Sequence, residues 1–356
     1  MHIMPQPPLT LRALAKLTGY SLGTVSMSLR GDLRISENTR ALILGAADRL
    51  GYTPDALFAR RMANVRQRAR GHAPIKLAHV VAWRRLEDFY ANPPLRDFRA
   101  GAADRAAEYG YELEDFHLDE ASMSRLRLAG ILRARSIPGV LLAPAEQLAS
   151  SLNSNDGDAR PELDFTAYAT IGYTVNILRI SRTVHDHAGA LELACAQLRA
   201  RGYRRIGLVL SENMHHRVHG RWLAGWVCAQ PDPFDAPRPL VSRDFGKPAV
   251  FDRWLAREKP DVLIASDLDV VTAHLKRLGL RAPDDLGLVD LQGSSAISTH
   301  AAIDQSSREV GAAAVDIIIG QINRHERGEP SIPKTVLVPG RWIDGPSVRP
   351  APEPKA

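Results

Sequence analysis

From Ile75 to Leu291 the chain alternates short apolar runs with longer segments of helical period, and this alternation narrows the choice of fold more than any other feature. IKLAHVVAW, YELEDFHL and GVLLAP read as strands, with LRDFRAGAADRAAEYGY and MSRLRLAGILRARS between them as helices. After ATIGY a second series begins, in which HAGALELACAQLRARGY, HGRWLAGWVCAQ, VFDRWLAREKP and DVVTAHLKRLGL are helical and RRIGLVLS, DVLIAS and LGLVDL extended. Near-continuous apolar strands are buried on both faces, and a helix between each pair returns the chain so that they run parallel. Two such series predict two doubly wound parallel sheets with a cleft between them, where ligands bind at the carboxyl ends of the strands.

Length and charge divide the chain further. At 356 residues it exceeds one ordinary core. No apolar run reaches the roughly 18 to 20 residues of a membrane helix, and MHIMPQPPLT lacks a basic and an apolar leader region, so the expected location is the cytoplasm. Cys195 and Cys228 are the two cysteines and form no CxxC, which argues against a disulfide framework or a zinc module. Residues 1–72 carry 11 Arg or Lys against 4 Asp or Glu, whereas the remainder carries 35 against 36. A basic module on a near-neutral body is the footprint of phosphate binding, because neutralised phosphates release condensed counterions.

Those first residues spell three short helices. Thr10 precedes LRALAKLTG, with Leu11, Leu14, Ala15 and Leu17 at helical spacing and Gly19 as a stop. Ser21 caps a second helix in which Leu22, Val25 and Leu29 share an apolar stripe, while Gly23, Thr24, Met27 and Ser28 lie elsewhere around the axis. So short a separation is that of a helix-turn-helix, whose second helix enters the major groove. Ser36 caps a third helix, and Ile43, Ala46, Ala47 and Leu50 are available to cover the other two.

The run from Leu9 to Met62 resembles, without a gap, the DNA-binding headpiece and hinge of the lac/gal repressor (LacI/GalR) family. The resemblance rests on Thr10, Ala15, Gly19, Thr24-Val25-Ser26, Gly31, Ile35-Ser36, Thr39-Arg40 and Leu50-Gly51-Tyr52 before Pro54. It implies that Thr10, Ser21, Thr24, Ser26, Ser36 and Thr39, with Arg12 and Arg34, position the protein on the DNA backbone. It places Leu22, Gly23 and Met27 at base edges, where none can make a bidentate hydrogen bond, leaving thymine-methyl contact for Leu22 and Met27 and a backbone or flanking-base contact for Arg30. After Pro54 a hinge helix runs into a basic linker. The family's minor-groove wedge falls on Arg61, with Phe58 and Met62 as apolar neighbours; the alternatives are minor-groove insertion of Arg61 and a linker helix whose arginines only add affinity.

The alternating body resembles the effector-binding core of the same family, which has the periplasmic-binding-protein fold. Its echoes include Arg201-Gly202-Tyr203, Leu223-Ala224-Gly225-Trp226, Ser266-Asp267, Gly279-Leu280-Arg281-Ala282-Pro283, and Ile303-Asp304-Gln305 before a helix with Gly311 and Ala312. Crossovers between subdomains are expected near 173–186, 296–303 and 327–335. For the effector, Asp267 matches a position that accepts hydrogen bonds from hydroxyls, Ser211 follows another strand, Trp222 can stack on a ring, and Trp83, Phe89 and Tyr90 can line the opposite wall, each aromatic having simple packing as its alternative.

His215 and His219 stand at i and i+4, a metal spacing if helical, but without a cysteine or carboxylate ligand nearby the plainer reading is the entrance to the cleft. No GxSxG, P-loop or GxGxxG is present, and neither an enzyme nor a cofactor or metal is expected. The predicted architecture is therefore α+α/β. A three-helix helix-turn-helix headpiece spans 9–53 and a hinge helix with a basic linker 54–72; a periplasmic-binding-protein-like core of two doubly wound α/β subdomains spans 73–346, and a tail 347–356. The expected function is a transcriptional regulator, a repressor, binding double-stranded operator DNA as a homodimer under control of a small-molecule effector such as a sugar or derivative, with no membrane partner. The alternative is a small-molecule binding protein with a weakened headpiece.

Overall fold

The computed structural model describes residues 11–29, 35–50, 74–83, 85–118, 123–145, 163–175, 179–293 and 299–351. Its headpiece is three helices, α1 (Leu11–Thr18), α2 (Leu22–Leu29) and α3 (Glu37–Arg49). Leu14, Val25 and Ile43 are wholly buried with Ala15 and Ala47, and Tyr20, Leu29 and Ala46 pack against them. Gly19 makes the turn: its N–H donates to the Ala15 carbonyl at 3.0 Å and its φ of +74° is one that L side chains rarely adopt. Four positions depart from the predicted packing, Leu17 among them at 62% exposed. Leu22 and Leu50 are 44% and 45% exposed, and Ser28 takes the inward position beside Val25. The small hydroxyl at Ser28 lets the short helices approach, although its Oγ is left without a partner.

The body contains two six-stranded sheets. Sheet 1 is ordered β11-β5-β4-β3-β1-β2, from β1 (Ile75–Val81), β2 (Tyr111–His117), β3 (Gly139–Leu142), β4 (Ala167–Ile171), β5 (Ser181–His185) and β11 (Thr335–Val338). Sheet 2 is ordered β12-β10-β9-β8-β6-β7, from β6 (Ile206–Ser211), β7 (Leu240–Ser242), β8 (Val262–Ala265), β9 (Gly287–Asp290), β10 (Ala301–Asp304) and β12 (Arg341–Ile343). All pairings are parallel except that of β12 with β10. The helices between are α4 (Leu86–Ala91), α5 (Pro93–Glu108), α6 (Arg125–Ala134), α7 (His187–Ala200), α8 (Glu212–Arg217), α9 (Arg221–Ala229), α10 (Pro248–Glu258), α11 (Leu268–Arg277) and α12 (Ser307–Asn323).

The two-residue period of the strands sends alternate side chains into separate cores. In sheet 1, Leu77, Leu141 and Ala169 join Phe98 and Ile318 on one face, whereas Ala78, Val80, Val140 and Leu142 join Leu128 and Leu132 on the other. Sheet 2 repeats this, with Leu208 and Ile264 facing Leu191 and Trp226, and Val209 and Leu263 facing Phe251 and Val271.

The chain crosses between sheets three times: from β5 into α7, from β10 into α12, and from β11 into β12. The first falls at the end of the expected stretch, but the second and third lie at 304–307 and 338–341, beyond 296–303 and 327–335. The displacement has a simple cause. The C-terminal strands are three or four residues long, β11 is largely exposed, and neither carries the apolar run that marks the other strands. The three crossings bind one another: Asp186 N–H donates to Val338 O (2.8 Å), Ser306 Oγ to Pro339 O (2.9 Å), and His185 Nδ1 to Gln305 O.

The core also runs past 346. Ser347 Oγ donates to Leu288 O at 2.6 Å and accepts from Ala301 N–H at 2.8 Å, Val348 is buried, and Arg349 N–H donates to the Tyr203 hydroxyl. A tail beginning at 347 is therefore corrected: residues 347–349 close sheet 2. Among the described residues no helix is long and apolar enough to cross a membrane.

Candidate functional site

The headpiece presents α2 with a polar entry. Ser21 Oγ accepts the Thr24 N–H at 3.1 Å and lies 2.9 Å from the Thr24 hydroxyl; Ser36 and Thr39 repeat the arrangement on α3, at 3.3 and 2.8 Å. Both caps satisfy a helix-terminal donor and leave exposed oxygen at a helix N-terminus, where a phosphate is favoured. Leu22 and Gly23 are exposed beside them, and Thr24, Ser26 and Met27 are half-buried. A Cβ at Gly23 would meet only Ser21 Oγ at 3.7 Å, so this glycine keeps the surface flat instead of relieving a clash. Thr10, Arg30, Arg34, Phe58, Arg61, Met62 and the side chain of Arg12 lie outside the described residues.

In the body, the expected effector residues divide. On sheet 2, Ser211, Ser266-Asp267 and Asp290-Gln292 stand at the carboxyl ends of the adjacent strands β6, β8 and β9. Ser211 Oγ accepts the Met214 N–H to cap α8, and Asp267 Oδ2 accepts from Ser266 Oγ at 2.6 Å. Asp267 precedes α11 yet makes no capping bond, which leaves its carboxylate turned to other partners. Gln292 Nε2 donates to Ser266 O at 2.6 Å and ties the wall together, while burial pushes the Asp290 carboxyl up. Ser266, Asp290 and Gln292 were not singled out as site residues in the sequence; the available signal was their place directly after an apolar strand.

Of the aromatic candidates, Phe89 and Trp222 take the packing alternative, whereas Trp83 and Tyr90 are half-buried. Phe89 is wholly buried, with Trp83 edge-on at 5.8 Å and Tyr90 edge-on at 5.2 Å, so it is core and cannot touch a ligand. Trp83 is partly buried with its Nε1 spent on Pro144 O at 2.7 Å. Burial and the neighbouring Asp115 push the Tyr90 hydroxyl up to about 12. Asp115 itself would be raised by burial, but hydrogen bonds from His79 and Arg99 hold it far below the usual carboxylate range. Trp222 is 2% exposed and lies in the sheet 2 core, edge-on to His187 at 5.2 Å, so it offers no stacking face.

A group of which the sequence singled out His219 alone joins the two subdomains. Tyr173, just after β4, stacks on His219 at 4.9 Å and carries the Arg221 guanidinium 4.1 Å from its ring centre. Arg182 of β5 approaches the same ring at 5.8 Å and holds the turn below it by donating to Gly172 O (3.1 Å) and Val175 O (3.2 Å). His187 lies behind, 6.1 Å from Tyr173, next to Trp222. Burial holds His187 down to about 3 and His185 to about 4, so both rings are neutral near pH 7. Here the helical condition for His215 and His219 fails: α8 ends at Arg217, and His219 has a φ of +51°.

Residues 10–55 match the family described as bacterial regulatory proteins, lacI family, and residues 195–348 match a periplasmic binding protein-like domain. The HTH-type transcriptional regulator GalR of Streptococcus thermophilus is 24% identical over 337 residues, covering 88% of this chain and 92% of that protein. Among solved structures, the transcriptional regulator CelR-cellobiose complex has a TM-score of 0.56 at 21% identity, covering 96% of this chain and 100% of that one. The lac repressor dimer bound to operator and the anti-inducer ONPF has a TM-score of 0.52 at 16% identity, with 96% and 99% covered. Both likenesses are of fold and extend over nearly the whole chain.

Proposed function

We propose that this chain, which belongs to the lacI family of bacterial regulatory proteins, is a transcriptional repressor that binds a pseudo-palindromic operator as a homodimer. The observation that carries the reading is the pairing of a hydroxyl-capped α2 with a core in which the carboxyl ends of β5 and β11 meet that of β10 from the other sheet. Ser21, Thr24, Ser26, Ser36 and Thr39, with Thr10, Arg12 and Arg34, dock the headpiece on phosphates; Leu22, Gly23 and Met27 face bases through apolar contact. One such helix buries little surface, and a second half-site from a partner subunit raises affinity and sets the operator's symmetry.

The effector sits against Ser211, Ser266 and Asp267, whose carboxylate accepts hydrogen bonds from ligand hydroxyls. Closure rotates one subdomain on the other about the three joined crossings, and this motion reorients the hinge between core and headpiece. A ligand that favours one closure state changes operator affinity by its differential affinity for the two states and no more. The operator named for one solved relative is of the class this headpiece suits, and the cellobiose named for another is a polyhydroxyl ligand, whose hydroxyls a carboxylate such as Asp267 accepts from.

Titrating the purified chain against its own upstream region in gel shifts at several salt concentrations tests the reading. Specific binding that weakens steeply with salt is expected, since each neutralised phosphate adds about 0.9 to the logarithmic salt slope. Absent or salt-independent binding would leave the second reading, a small-molecule binding protein with a weakened headpiece, which Leu22 and Met27 favour because neither can read a base by paired hydrogen bonds.

A further inference from the structure

The two subdomains meet on positive charge. Arg182 and Arg221 approach one Tyr173 ring from separate subdomains at 5.8 and 4.1 Å, and neither forms an ion pair among the described residues. Arg182 spends two N–H groups on backbone carbonyls, whereas the Arg221 guanidinium has the ring as its one partner among the described residues. Among the described residues the titratable groups around them are Tyr173, His185, His187, His219 and Asp186. Asp186 is the one carboxylate of the group, and its Oδ1 already accepts the Gly189 N–H at 3.1 Å to cap α7. Two like charges against one ring without a carboxylate between them repel each other, and burial with the Arg221 charge holds Arg182 below its ordinary value; cation-π contact offsets only part of that.

A second, independent observation lies behind the ring. Trp222 and His187 are 2% and 6% exposed, and among the described residues Trp222 Nε1 and His187 Nδ1 have no hydrogen-bond partner. A buried polar atom left unpaired is costly, and two side by side at a subdomain junction mark a place that a polar ligand completes.

We propose that the effector is an anion whose carboxylate or phosphate seats against Arg221 and Arg182 beside Tyr173. The inference rests on the effector-cleft reading above and names the ligand class of that cleft. Ser266 and Asp267 then take ligand hydroxyls, so the preferred molecules are hydroxylated acids or phosphate esters, and neutral sugars bind weakly. Tyr173, His219 and Arg221 are in mutual contact at this junction, His219 and Arg221 each against the Tyr173 ring. The anion draws Arg221 off the ring, which couples occupancy to the angle between subdomains.

The test measures calorimetric binding of gluconate, glucose 6-phosphate, inorganic phosphate and glucose to the full chain at constant ionic strength. Wild type, Arg221→Gln and, as a control on exposed α10, Arg253→Gln are compared. Tighter binding of at least one anion than of glucose is expected, weakened about 10- to 100-fold by Arg221→Gln and unchanged by Arg253→Gln. Gluconate outranking glucose 6-phosphate identifies a carboxylate, and the reverse a phosphate ester. Glucose equalling the anions, or no response to any anion that depends on Arg221, overturns the proposal. Operator gel shifts of the wild type without ligand separate the two levels: salt-dependent binding keeps the regulator reading even when the anion seat fails.

Discussion

Met27 and Leu22 bear on how the headpiece discriminates between sequences. Thioether and isobutyl groups offer no donor or acceptor for a base edge, and Leu22 is 44% exposed on the face that would meet DNA. An arginine in a narrow minor groove reads shape instead, and Arg61 in the hinge is the candidate for that role. Met27→Ala should therefore reduce the affinity ratio between operator and scrambled DNA less than Arg61→Ala does, measured by competition gel shift at fixed salt. A larger loss at Met27 would show that α2 reads more than apolar contact permits. At this scale the sequence was clear about the caps, since a serine three residues ahead of a threonine at a helix start has one good use for its hydroxyl. It was silent about burial. Trp222 and Phe89 look like ligand platforms beside a strand end, and only packing distinguishes a cleft wall from the core beneath it.

Between elements, the tightest surroundings among the described glycines are those of Gly101 and Gly311, where α5 meets α12. A Cβ at Gly101 would lie 1.9 Å from Arg308 O, and one at Gly311 would lie 1.9 Å from Phe98 O, so backbone meets backbone with no room for a methyl. Gly311→Ala should lower stability by about 3 kcal/mol, the upper end of overpacking penalties. Gly320→Ala on the same helix meets only the end of the flexible Arg324 side chain at 3.1 Å and should be neutral or stabilising by up to about 1 kcal/mol. Denaturant midpoints of the two variants check this, and equal losses would contradict the steric account. The sheet strands and long helices were legible because a buried strand or an amphipathic helix needs several residues of one pattern. The short segments were not: α4 and α8 have six residues each, β7 and β12 three, and exposed β11 four. Their place is decided by neighbours far along the chain, which is also why the second and third crossings lie later than expected.

At the scale of the whole molecule, both subdomains depend on a junction that carries neutral histidines. His185 donates to the Gln305 carbonyl across two crossings and His187 begins α7, against Tyr173, Trp222 and the Arg221 charge. Burial is the first cause that lowers both, to about 4 and about 3, from an ordinary 6.5. In the unfolded chain these rings take up protons below pH 6.5 while the folded protein refuses them until about pH 4 and 3. Their contribution is thus complete above pH 6.5 and is lost as pH falls, at up to about 1.4 kcal/mol per unit for each ring. Asp115 also favours acid lability, but its loss begins near the ordinary carboxylate value of 3.8 and leaves the interval between 6.5 and 5 to the histidines. Denaturant midpoints of the full chain at pH 7, 6 and 5 should fall with acid, and His187→Gln should fall less steeply, saving on the order of 2 kcal/mol at pH 5 whatever it costs at pH 7. Parallel pH profiles for the two proteins would mean that His187 charges freely in the folded state and that the junction opens to water. Since that junction also forms the proposed anion seat, the slope reports how tightly the subdomains close when no ligand holds them.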